Sequence, residues 1–117
     1  MSDTVNYAAA TKAKLIEGFD KVIAKLEKPD SWLQGGYGFP TTAQCSVGHL
    51  RTSFDWRGSI TNEQLYYNAR HILSTNLPEE YEGEVVAWND TPGRTREEVL
   101  AVFKKARASL DKVEVMS

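Results

Sequence analysis

Cysteine is almost missing from this chain: Cys45 is the only one in 117 residues. A single thiol excludes an internal disulfide and a cysteine-rich zinc site. An excess of charge of one sign is missing too, with 14 Lys and Arg against 16 Asp and Glu and a net charge of -2. Binding to a phosphate backbone needs a clustered basic excess, so this balance carries no nucleic-acid signal, and it is too mild for a nucleic-acid mimic. No apolar run approaches the ~20 residues that a membrane span needs. The opening residues M-S-D-T-V-N-Y-A-A-A-T-K lack the apolar core behind a basic start that marks a secretory signal. These absences predict a cytoplasmic, reducing setting. Gly35, Gly36 and Gly38 have neither a preceding strand nor a following Lys-Ser/Thr, so no nucleotide cofactor is expected.

What is there is an ordinary globular composition, 41% apolar and 26% charged, at a length that predicts one domain over 1–117. Leu15, Phe19, Val22, Ile23 and Leu26 recur at three- and four-residue steps, which predicts a helix from Asp3 to Lys28, stopped by Pro29. A long loop follows, D-S-W-L-Q-G-G-Y-G-F-P-T-T, in which Trp32, Leu33, Tyr37 and Phe39 alternate with glycines. Such aromatics either lie over the core or form a recognition surface. Thr42 reads as the N-cap of a second helix from Ala43 to about Trp56, and Gly48 inside it marks close backbone packing. Thr61 and Gln64 have capping-box spacing at the start of a third helix with Leu65, Ala69, Ile72, Leu73 and Leu77 on one face.

The acidic run Glu79, Glu80, Glu82 and Glu84 reads as a solvated loop or a first helical turn favouring acids, or as a contact for a basic partner. Glu84 to Trp88 is too short for periodicity to choose between helix and strand. Around Val86 to Phe103 the signals are densest. Trp88 is an aromatic anchor, Asn89 and Asp90 are residues whose side chains bond nearby backbone, and Pro92-Gly93 is turn chemistry. Arg94 is placed to pair with Asp90, and Thr95 with Glu98 forms a capping box. The last helix runs from Arg96 to about Lys112, with Trp88 expected between it and the first helix. The sum is an all-α protein: a compact irregular bundle of four main helices with a long glycine and aromatic loop between the first and second.

Taken together, Trp32-Leu33-Gln34-Gly35, Cys45-Ser46-Val47-Gly48 and Trp88-Asn89-Asp90-Thr91-Pro92-Gly93-Arg94-Thr95 resemble a family of small uncharacterised helical proteins of bacteria and tailed phages. That family has W-x-x-G, C-x-x-G and W-N-D-x-x-x-R-T motifs and is a domain of unknown function. The resemblance implies the helical fold and assigns no activity. His49 stands where the pattern has a small apolar residue, so no role passes to it from the family.

Two functional readings are open. In the first the chain is a non-catalytic binding or accessory module, a host-directed inhibitor being one form. It would meet a protein partner through Trp32, Tyr37 and Phe39, with Glu79, Glu80 and Glu82 as a second contact. In the second it is a small cysteine-dependent hydrolase or transferase. Cys45 would be the nucleophile in a helix's first turn, where the dipole favours thiolate. His49 or His71 would be the base, oriented by Asn89 or Asp90. The spacing from Cys45 to His49 alone makes no metal site. Buried packing of Cys45 is the simpler alternative for that residue.

Overall fold

The apolar stripe of the first segment becomes α1, Ala9–Leu26, which buries Leu15, Phe19, Val22 and Leu26 along one face. In this computed structural model, which describes residues 7–113 and 115–116, four further helices surround it. They are α2 (Ser46–Ser53), α3 (Ile60–Thr75), α4 (Val85–Asn89) and α5 (Arg96–Ser109). The short segment at 84–88 is therefore helical. Turns of 3-10 helix at Glu79–Tyr81 and Leu110–Lys112 complete the helical part. The expected all-α bundle of four main helices is what the chain forms, with α4 as a small fifth.

α5 lies antiparallel on α1, and three contacts along the pair fix its direction. Arg96 donates to the Leu26 carbonyl at the end of α1, Arg107 donates to Asp20 at 3.0 Å, and Lys12 donates to the Val113 carbonyl at 3.1 Å. After α5 the chain reverses, so β2 (Val115–Met116) runs parallel to β1 (Tyr7–Ala8) in a two-residue ladder. That ladder takes up the start expected for the first helix. Ala8 is the N-cap residue of α1, and the remainder of the expected start, Asp3 to Asn6, lies outside the described residues.

The interior is aromatic at its centre. Phe19 packs on Phe54 (ring centroids 6.4 Å apart) and on Phe103 (6.0 Å). α1 comes so close to α2 because Gly18 has no side chain: a Cβ there would lie 2.1 Å from the Phe54 ring. On α3 the two tyrosines part company, Tyr66 fully buried and Tyr67 exposed.

Several local expectations are corrected. Cys45, not Thr42, is the N-cap residue of α2, and its Sγ accepts from the Gly48 N–H at 3.4 Å. Thr42 instead closes a turn with Phe39, donating to its carbonyl and accepting from its N–H. α3 begins two residues earlier than its predicted box: Ser59 caps it, accepting from the Asn62 N–H at 3.0 Å. Serine there gives the same capping chemistry as the threonine would. Arg94 pairs with Glu98 at 3.1 Å and not with Asp90. It also donates to the Trp88 carbonyl and the Tyr81 hydroxyl. Trp88 is buried, but α4 packs against α2 and α3 rather than between α1 and α5.

The Thr95–Glu98 capping box is formed in both directions. Thr95→Ala is expected to cost about 1 kcal/mol through the lost cap. Trp88→Ala should cost about 3–5 kcal/mol, because it empties a large buried site. Urea denaturation of both variants checks the pair, and equal small losses would contradict this packing.

Candidate functional site

The long loop after α1 is tied down by one side chain. Asn89, at the end of α4, is buried, and its Oδ1 accepts three hydrogen bonds. They come from the Trp32 indole N–H (2.8 Å), the Ser46 N–H (2.9 Å) and the Ser46 hydroxyl (2.6 Å). Its Nδ2 donates to the Leu33 carbonyl (3.2 Å) and to Asp90 Oδ1 (3.0 Å). The same Asp90 oxygen accepts from the Gly35 N–H, and Gln34 donates to the carbonyls of Asn89 and Thr91. The W-L-Q-G stretch and the W-N-D turn are thus two halves of one clasp, with the start of α2 held between them.

A second row of bonds lies beneath it. Residues 31–33 form a parallel bridge with Gln44: Gln44 N–H donates to the Ser31 carbonyl and Leu33 N–H to the Gln44 carbonyl. The Ser31 carbonyl also faces His49 Nε2 at 2.8 Å. A carbonyl only accepts, so Nε2 carries the proton. Burial pushes the His49 pKa down to about 4, and the nearby Lys25 charge acts the same way against the opposing Ser31 bond. His49 is a neutral structural donor.

Cys45 is buried under this clasp. Burial pushes its thiol pKa up, outweighing the N–H groups of Gly48 and Val47 that face it. The helix start that was expected to favour a thiolate is overridden by desolvation. Cys45, Asn89 and Asp90 do line one small cavity of about 170 Å³, together with Gly35, Gly36, Tyr37, Val47 and Val86. Neither histidine lines it. His71 lies exposed on α3, and among the described residues its ring makes no hydrogen bond to the others. The five residues of the enzyme reading are split three from two, without a base at the thiol. No group of three or more His, Cys, Asp or Glu among the described residues is placed to hold a metal ion.

Beyond the clasp the loop crosses α2 at Gly48, where a Cβ would lie 2.2 Å from the Tyr37 carbonyl oxygen. The close approach that this glycine foretold is to the aromatic loop. Trp32 is partly buried with its indole committed, whereas Tyr37 is 49% and Phe39 71% exposed. Tyr37 lies over the Arg51 guanidinium at 4.3 Å, and Trp56 covers it at 4.4 Å. These residues edge a groove of about 370 Å³ also lined by Thr52, Asp55 and Arg57. Glu79, Glu80 and Glu82 are all exposed on the turn before α4. Gln34, Gln44, Ser46 and Arg51 had no sequence signal of their own. Only the motifs containing or flanking them did.

The fold and clasp define a small all-α protein whose glycine and aromatic loop is pinned by a tryptophan-asparagine-aspartate turn. Residues 10–109 match a family of unknown function, DUF6197, and the chain belongs to that family. No curated protein and no solved structure matches it.

Two outcomes test the clasp. Asn89→Ala is expected to cost about 3 kcal/mol or more, since buried donors from Trp32 and Ser46 lose their acceptor. Asn89→Asp keeps the acceptor oxygen but turns a second, charged oxygen toward the Leu33 carbonyl and Asp90 Oδ1, and should cost at least as much at neutral pH. The His49 pKa lies below its unfolded value, so its contribution is complete above about pH 6.5 and is lost as pH falls toward 4. Stability should drop by about 2 kcal/mol between pH 7 and 5. Urea melts across that range, flattened in a His49→Asn variant, provide the measurement.

Proposed function

We propose that this protein is a non-catalytic binding module that meets a protein partner through the loop face carrying Tyr37 and Phe39. The observation that carries the reading is Phe39, 71% exposed at the tip of a loop rooted by the Trp32–Asn89 bond. An aromatic held outward on an ordered loop loses little conformational freedom on binding and suits a contact anchor. Trp32 serves as the root rather than as a contact, and the exposed Glu79, Glu80 and Glu82 offer a second contact for a basic surface. A host-directed inhibitor is one form of this function, resting on the resemblance to phage proteins alone.

The cysteine-enzyme alternative draws on the cavity shared by Cys45, Asn89 and Asp90. It needs a thiolate and a base, yet burial pushes the thiol up and His49 is engaged with Ser31. Alkylation of native Cys45 at pH 8 should be slower than in the unfolded chain by a factor on the order of one hundred. Fast reaction below that pH would favour the enzyme.

Phe39→Ser should change stability by less than about 0.5 kcal/mol. Tyr37→Ser should cost about 1 kcal/mol, because that ring covers Arg51. Both should abolish capture of the partner from a host lysate. A large loss of stability in Phe39→Ser, or retention of every captured protein by both variants, would remove the proposal's support.

A further inference from the structure

The groove beside the loop contains hydrogen-bond donors that the fold itself does not use. Arg51 spends Nε on the Tyr66 hydroxyl at 3.4 Å, and its guanidinium carbon lies over the Tyr37 and Trp56 rings, 4.3 and 4.4 Å from their centroids. Its two terminal nitrogens have no acceptor among the described residues. Stacking covers the faces of a guanidinium and leaves its edge, the part that binds oxyanions in a fork. Arg57 lies over the same Trp56 ring at 4.8 Å, also without a carboxylate partner among the described residues. Thr52 supplies the third donor. A threonine in a helix ordinarily gives its proton to the carbonyl four residues back. Here the carbonyl of Gly48 accepts from Gln44 Nε2 at 3.2 Å, and the same Nε2 donates to Thr52 Oγ1 at 2.7 Å. Lys25 fixes that amide's orientation. Its ammonium only donates, and it lies 2.6 Å from Gln44 Oε1, so Nε2 must face Thr52. The hydroxyl proton of Thr52 is left without an acceptor among the described residues.

We propose that this groove binds the phosphate group of a small organic phosphate monoester, with Arg51 as the edge-on fork and Arg57 and Thr52 as further donors. Two guanidinium charges with a hydroxyl donor beside them suit the near-dianionic charge and three terminal oxygens of a phosphate monoester more closely than the single charge of a carboxylate. Asp55 also lines the groove. Two guanidiniums against one carboxylate still leave a positive local charge within a chain of net charge -2. The volume, about 370 Å³, is that of a small-molecule site, and Tyr37 and Pro40 offer apolar surface for the organic part.

The test is a titration of the intact protein with phenyl phosphate at constant ionic strength, followed by proton–nitrogen NMR, with benzoate as the carboxylate control. The Trp56 indole and Arg51 Nε–H signals should move and saturate, while those of Trp32 and Trp88 stay in place. Arg51→Lys keeps the charge but not the fork and should weaken binding at least ~10-fold. Arg57→Ala, at an exposed position that folding does not need, should weaken it severalfold. Phe39→Ser should leave it unchanged, so failure of the partner-binding proposal and failure of this one are separable. Shifts that never saturate, equal affinity for benzoate, or full binding by both arginine variants would overturn the assignment.

Discussion

The side-chain amide of Asn89 is the interaction on which the rest depends. It lies out of water between α4, the loop after α1 and the first residue of α2, and both its oxygen and its nitrogen are occupied. A buried amide without partners is costly, whereas a saturated one in a low-dielectric setting specifies a single arrangement. Because its bonds reach backbone as well as side chains, Asn89 positions three separate stretches of chain at once. The helices give the protein its apolar interior. This amide decides how the loop lies on them.

With that constraint in place, the residues that resemble catalytic equipment have structural duties. Cys45 caps α2 and lies under the clasp, and His49 donates to the Ser31 carbonyl from a neutral ring. Desolvation governs both titrations, raising the thiol and lowering the imidazole. What the clasp leaves free is the exposed Phe39 and the groove that Tyr37, Arg51 and Trp56 line. Gln44 connects the two regions. Its backbone bridges to Ser31 and Leu33, while its side chain, steered by Lys25, orients Thr52 at the groove.

A polar interaction within one turn can be foreseen from spacing, and the Thr95–Glu98 box formed as its three-residue separation requires. Periodicity likewise located the long helices, because the period of the apolar residues is the period of the helix. Capping predictions failed where several candidate residues stood close together. Ser59 and Thr61 both have capping chemistry, as do Thr42 and Cys45, and small differences in how the flanking chain packs decide between them.

By itself, then, the sequence determined the helical class, the positions of the main helices, the turn into α5 and the need for close packing at Gly48. These depend on residues a few places apart, or on the size of a single residue. Tertiary structure alone decided that Trp32 and Asn89, 57 residues apart, share a hydrogen bond, and that Arg94 turns to Glu98 rather than to Asp90. It also decided that Cys45 is desolvated and that Arg51 stands at the edge of a groove. Burial, and the choice among competing partners, depend on which distant segments come together in space, and spacing along the chain does not encode that.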